Sequence, residues 1–317
     1  MDLGGNGLGK YALGIDFGTL SARALVAEIG TGRELAGAAM DYPHRVMDVA
    51  LPDGTRLPPD WALQHPQDYA DALCRVIPEA LEQAGVAASD IVGVGVDFTA
   101  CTMLPVDESF TPLCLKPEWA GNPHAYVKLW KHHAAQREAD EINRVARERS
   151  EAFLARYGGK TSSEWMFPKI WQILNEAPDV YRATHRFVEA EDWAVWLLTG
   201  SEAVSACAAG YKSLWSKRDG YPSRDFFRAL DPRLENVAQE KLDMLKEDAQ
   251  KMRAKDLHEL LRAWENYHRI LTAEAHLQHI LFRQESRYPG FYYRMDKNFV
   301  DEENWHCFVN SIYDKKT

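Results

Sequence analysis

Cysteine is too sparse and scattered in this 317-residue chain to build a framework: Cys74, Cys101, Cys114, Cys207 and Cys307 form an odd set without a CxxC pair. That excludes a disulfide scaffold or a zinc ribbon and leaves reduced thiols as the expectation. No apolar run reaches about 20 residues, so no membrane-crossing helix is expected. Positive charge is also short, with 37 Lys and Arg against 47 Asp and Glu, a net charge of -10. Nucleic-acid binding needs a basic face, so a partner chosen by its phosphate backbone is excluded as well. The glycine-rich start, Met1 to Lys10, has no apolar signal core behind a basic head, and a cytoplasmic location follows as an expectation.

Glycine then runs out. Beyond Gly220 only Gly290 remains, and a strand-rich lobe needs glycine at its tight turns. From Met244 to Ile280 the chain is one long amphipathic run, with Leu257, Leu260, Leu261, Trp264, Tyr267 and Leu271 at three- and four-residue spacing. We therefore expect three segments: a flexible leader over residues 1–10, an α/β domain over 11–242, and a helical appendage over 243–317, with the boundary near Leu242. The 46% hydrophobic content is enough for a sizeable core.

What is present up to Leu242 has the texture of an α/β domain. Tyr11 to Phe17, Ala22 to Ile29 and Glu34 to Met40 read as a β-meander turning at Gly18-Thr19 and Gly30-Thr31-Gly32. His65 to Gly85 has helical spacing, with Pro66 suited to the first turn. Ile91 to Phe98, rich in β-branched residues, is expected to be a buried parallel strand. It ends in Asp97-Phe98-Thr99, where parallel strands usually meet a site. Pro123 to Ser150, Ser163 to Glu176 and Glu189 to Leu198 are expected to be helical, the last ended by Thr199-Gly200.

Gly4 to Lys10 matches GxxxxGK, but Tyr11 stands where a magnesium-holding hydroxyl is needed and no strand precedes it. A leader is the better account. The turn Asp16-Phe17-Gly18-Thr19-Leu20-Ser21-Ala22-Arg23 is different, because it joins two strands. Gly18 permits close backbone approach, amides and the Thr19 and Ser21 hydroxyls can donate to phosphate oxygens, and Asp16 can hold hydrated Mg²⁺. Adjacent His132-His133, if helical, would point about 100° apart and share no ion easily. His276 and His279 lack a third ligand and read as a polar helix face.

The run Gly14 to Arg23 resembles the first phosphate motif of the FGGY carbohydrate kinases, which belong to the actin and hexokinase ATPase superfamily. Val94 to Thr102, Pro123 to Ala134, Glu189 to Trp193 and Ala209 to Trp215 are similar to the ribulokinase branch. The resemblance spans Tyr11 to Leu242. It implies a ribonuclease H-like, actin/hexokinase-type α/β domain using ATP and Mg²⁺ on L-ribulose or a related pentulose. Asp16, Gly18, Thr19 and Ser21 would face the phosphates, Asp16 would hold Mg²⁺ through water, and Ala100 and Lys212 would line the sugar pocket. Many members carry W-x-D-x-R; here Trp130-Lys131-His132-His133-Ala134 lacks both Asp and Arg, which fits the ribulokinase branch.

In such kinases the catalytic aspartate base and the adenosine site lie beyond the point where the resemblance ends. The resemblance therefore implies a lobe truncated before its base, with negligible turnover on its own. Residues 243–317, including Lys255 to Leu260, Glu285 to Arg294 and Asp301 to His306, resemble the C-terminal helical region of the adenylylsulfate reductase alpha subunit. No dinucleotide-binding domain accompanies that segment, so no FAD is expected. Its aromatic stretch Tyr288 to Phe308 would seek a protein partner or a second copy. The junction without a spacer fits a gene fusion, an engineered chimera or an erroneous join. The rival expectation is a noncatalytic interaction module whose tail docks on a redox subunit or self-associates.

Overall fold

Alternation of buried and open positions organises the first strands of the protein, whose computed structural model describes residues 10–242. The leader up to Gly9 with its GxxxxGK look-alike, and the whole 243–317 segment with His276 and His279, lie outside the described residues. In β1 (Tyr11–Phe17) Leu13, Ile15 and Phe17 are buried, while Gly14 is exposed and Asp16 half-buried on the other face. Strands β2 (Ser21–Glu28) and β3 (Glu34–Asp41) follow as the expected antiparallel meander.

The chain then makes β4 (Leu63–Gln64) and helix α1 (Pro66–Ala84). His65 caps the helix by accepting the Gln67 amide, and Gly85 ends it in the left-handed conformation at φ 63°. Strand β5 (Ile91–Phe98) joins β1 in parallel, giving a sheet of order β3-β2-β1-β5. The apolar stripe of α1, including Tyr69, Ala72, Leu73 and Val76, packs on Leu13, Ile15, Phe17, Ala22, Ala24 and Val26. Phe17 is the hub of this layer, stacked on Phe98 at 4.8 Å and edge-on to Tyr69 at 5.9 Å.

Beyond β5 come β6 (Met103–Val106), β7 (Val127–Lys128), α2 (Gln136–Glu148), α3 (Met166–Glu176), α4 (Pro178–Ala183) and β8 (Arg186–Glu189). The four short strands form a second sheet of order β4-β7-β6-β8. Helices α5 (Ala190–Thr199), α6 (Ala206–Lys212), α7 (Arg224–Leu230) and α8 (Val237–Lys241) complete the described chain. A second core, built from Ile142, Ile170, Ile173, Phe226, Phe227 and their neighbours, fills the space among α2, α3 and α7.

Two expectations are corrected. β5 is not buried: Val92 and Val94 are 55% and 52% exposed, because β5 stands at the edge of its sheet among the described residues and has no neighbour on its far side. Pro123 to Ser150 is not one helix either. Pro123–Ala125 is a single 3-10 turn, β7 is drawn into the second sheet against β4, and the helix starts only at Gln136. Pairing with β4 wins over helical propensity for that stretch. No described helix is long and apolar enough to cross a membrane.

Phe17→Ala removes a side chain with no exposed surface from the contact between β1, β5 and α1. We expect a loss of about 3–5 kcal/mol in unfolding free energy, read from urea melts followed by circular dichroism.

Candidate functional site

Parallel neighbours end together, and this decides where the polar groups gather. Asp16 of β1 stands opposite Asp97 of β5, one step before Phe17 and Phe98. The turn after β1 and the loop after β5 therefore leave the same edge of the sheet. Asp97 was absent from the residues assigned to the site by sequence, although its position at a strand end was the available signal. Asp16, Arg23 and Asp97 line one open groove with Gly14, Leu25 and Gly95, and Arg23 Nη1 lies 3.1 Å from Asp16 Oδ2.

The turn is tight. The Gly18 amide donates to the Ser21 carbonyl at 2.9 Å, so that amide is committed within the turn and is not open to a ligand. A Cβ on Gly18 would stand 3.3 Å from the same Ser21 oxygen, closer than backbone comfortably allows, which explains glycine here without any need for positive φ. Thr19 is braced from two sides: Gln64 Nε2 donates to its carbonyl at 2.8 Å, and Trp130 Nε1 donates to its Oγ1 at 3.1 Å. Accepting from Trp130 leaves the Thr19 hydroxyl proton available to a ligand. Gln64 is itself held by the buried Tyr69 hydroxyl at 2.6 Å.

The loop after β5 gathers the second group of residues. Thr99 and Thr102 hydroxyls meet at 2.8 Å, the Ala190 amide donates to the Thr102 carbonyl at 2.7 Å, and Cys101 sits in the left-handed region at φ 64°. Ala100 is half-buried in this loop. Lys212, at the end of α6, directs Nζ toward Glu164 at 3.8 Å and lies over the Tyr211 ring at 5.3 Å. Its charge acts on both Cys101 and Lys169, so the loop holding Ala100 and the end of α6 face one region. Leu214, just beyond, is another of the six described non-glycine residues at positive φ, at 61°.

Burial sets the electrostatics of this region. It pushes the Cys101 thiol well up, with the nearby Glu189 adding to the effect, and so favours the neutral thiol. Burial raises the Glu189 carboxyl, with Asp192 adding to it, and lowers the Lys169 ammonium. Asp192 is pushed up to about 7 by burial, while its Oδ1 accepts the Ser205 amide at 2.7 Å.

The adjacent histidines His132 and His133 are each engaged by protein partners. His132 is fully buried in a loop instead of on a helix. Its Nδ1 accepts the Ala62 amide at 3.3 Å, its Nε2 meets Gln172 Oε1 at 3.0 Å, and His133 turns away to Ser163 at 3.2 Å. Among the described residues, His44, His65 and Asp68 bring ligand-type atoms within 4.8 Å of one another, a grouping that sequence spacing did not reveal. His44 Nδ1 is 2.6 Å from Asp68 Oδ1, a hydrogen-bond separation, and His65 Nδ1 caps α1.

The sequence profile described as the FGGY family of carbohydrate kinases, N-terminal domain, matches residues 11–234. A ribulokinase from Geobacillus thermodenitrificans is 58% identical over 234 residues, covering 74% of this chain and 41% of that protein. One from Mycolicibacterium smegmatis is 50% identical over 240 residues, covering 75% and 42%. The chain thus spans about two fifths of the length of these relatives. Among solved structures, a xylulose kinase from Bifidobacterium adolescentis aligns with a TM-score of 0.53 at 15% identity, covering 74% of this chain and 47% of that one. A xyloylose kinase from Brucella ovis gives 0.53 at 19% identity, covering 70% and 41%. These likenesses show the actin/hexokinase-type fold.

The raised Asp192 carboxyl has a consequence for stability. An unfolded aspartate loses its proton near pH 3.8, whereas the folded one keeps it to about 7. The stabilisation is complete below pH 3.8 and is lost as pH rises toward 7, on the order of a few kcal/mol in all. Asp192→Asn keeps an oxygen for Ser205, so we expect its melting temperature to fall less between pH 5 and pH 8 than that of the parent chain, in calorimetry at both pH values.

Proposed function

The chain belongs to the FGGY family of carbohydrate kinases, and from that premise we propose that residues 11–242 are the phosphate- and sugar-holding lobe of an ATP-dependent pentulose kinase. The ribulokinase relatives favour L-ribulose as the acceptor. One observation carries the reading: the phosphate turn and the sugar loop follow paired parallel strands with Asp16 beside Asp97. Donor and acceptor binding then share one sheet edge, which is the positioning that phosphoryl transfer requires.

The residues fit the groups they would hold. Gly18 leaves room where a Cβ would crowd the Ser21 carbonyl, and Asp16, with its side chain 49% exposed, offers a hard oxygen to a hydrated cation. Magnesium bound there would neutralise charge on the phosphates. Thr19 would donate its free hydroxyl proton to a phosphate oxygen, with Ser21 beside it. Ala100 would leave space for the sugar, and Lys212, steadied by Glu164, would donate to its hydroxyls.

In the complete reaction a sugar oxygen forms a bond to the γ-phosphorus, the bond from that phosphorus to the bridging oxygen breaks, and the sugar hydroxyl proton passes to a base. We assign residues 11–242 to binding and orientation and none of them to the base, which by family resemblance lies further along. We also propose a boundary at Leu242, shortly after the family match ends at residue 234. Residues 243–317 would then be a separate helical segment of adenylylsulfate reductase type, docking on a protein partner or on a second copy. A cytoplasmic location accords with the supply of ATP.

Titration calorimetry of the 317-residue chain with Mg²⁺ and a nonhydrolysable ATP analogue tests the reading. We expect binding on the order of millimolar, about -4 kcal/mol. Asp16→Asn should weaken it about tenfold, or about 1.4 kcal/mol, and should abolish its dependence on Mg²⁺. No heat from the parent chain, or a variant indistinguishable from it, would sink the proposal.

A further inference from the structure

Lys169, in the first turn of α3, has no exposed surface. Its ammonium has three hydrogens, and it meets three backbone carbonyls: Cys101 at 2.6 Å, Leu129 at 2.9 Å and Lys128 at 3.3 Å. An interior cation is costly to desolvate, and an apolar side chain of the same volume would fill the space without that cost. The carbonyls it holds belong to the loop after β5 and to the end of β7 with the residue that follows it. Cys101 lies in the strained loop next to Ala100. Leu129 immediately precedes Trp130, whose indole N–H donates to Thr19 at 3.1 Å.

We infer that Lys169 is a positioning residue: one buried ammonium ties the loop of the proposed sugar pocket to the loop that presents Trp130, and through Trp130 to the phosphate turn. The inference rests on the kinase reading above for the identity of the two pockets. The physical chain runs Ala100-Cys101, Lys169, Leu129-Trp130, Thr19, and it fixes the distance between acceptor and donor sites. Misplacement by about 1 Å can cost a hundredfold in a transfer reaction, so a rigid post between the loops has a use that packing alone does not supply. Trp130 is 38% exposed, which leaves much of its ring open to a ligand arriving at this edge.

Hydrogen exchange followed by mass spectrometry on the 317-residue chain, with no ligand present, separates positioning from general packing. In Lys169→Met we expect exchange in segments 99–103 and 128–134 to rise at least tenfold, while β1, β2 and α1 stay within about twofold. A uniform rise over both sheets, or no local change, overturns the inference. Should that variant fail to fold, Trp130→Phe tests the last link: exchange at residues 18–21 should rise with 99–103 unchanged, and an unaltered 18–21 segment overturns it. A ligand arm adds a second readout, the dissociation constants of L-ribulose and of the Mg²⁺ complex of the ATP analogue. Lys169→Met should weaken the sugar at least tenfold and the nucleotide less than threefold; equal losses overturn positioning. If the parent chain binds neither ligand, the kinase reading fails while the exchange result still decides the role of Lys169.

Discussion

Parallel pairing between β1 and β5 is the constraint from which the rest of this lobe follows. Residues 18–90, with β2, β3, β4 and α1, separate the strands in sequence, yet their registers bring Asp16 to Asp97 and Phe17 to Phe98. The two faces of that one pairing serve different ends. On the inner face, Phe17, Phe98 and Tyr69 form an aromatic cluster against α1, and their burial holds the strands in register. On the outer face the same register places two carboxylates beside a glycine-opened groove. A slip of one residue would exchange the faces, burying the carboxylates and exposing the aromatic rings.

The second constraint is the accounting of buried polar groups. Three basic side chains, Lys128, His132 and Lys169, have essentially no exposed surface, and none is paired to a carboxylate within hydrogen-bond distance among the described residues. Carbonyl and amide oxygens accept their hydrogen bonds instead. Lys128 donates to Gln172 Oε1 at 3.1 Å and lies over the Trp61 ring at 4.0 Å, and burial drives its ammonium strongly toward the neutral form. Such networks rigidify the loops they cross only when every donor is satisfied. Here the loops so crossed are those after β5 and β7, which border the site.

The His132 neighbourhood also shows how the missing W-x-D-x-R pair is accommodated. With no Asp or Arg in Trp130 to Ala134, the chain turns His132 inward onto Gln172 and sends Trp130 outward onto Thr19. The segment thereby contributes an aromatic donor to Thr19, in the turn after β1.

The sequence by itself determined the meander, the capped helix α1, the parallel β5 and the Asp16-to-Arg23 turn. Each is written in local signals: alternation, a Pro at the first turn, a glycine at the end, a strand closing on a carboxylate. The motif set from Asp16 to Lys212 was legible for the same reason, since spacing along the chain preserves it. Only the tertiary structure decided that Ile91 to Phe98 stands at an exposed edge, that Pro123 to Ser150 breaks into a turn, a strand and a later helix, and that Lys169 and His132 are buried. Those outcomes depend on which segments become neighbours. Lys169 is a lysine on an otherwise apolar helix face, a hint the sequence carries, but its partners Cys101 and Leu129 lie 68 and 40 residues away, and no local pattern encodes a contact made across that distance.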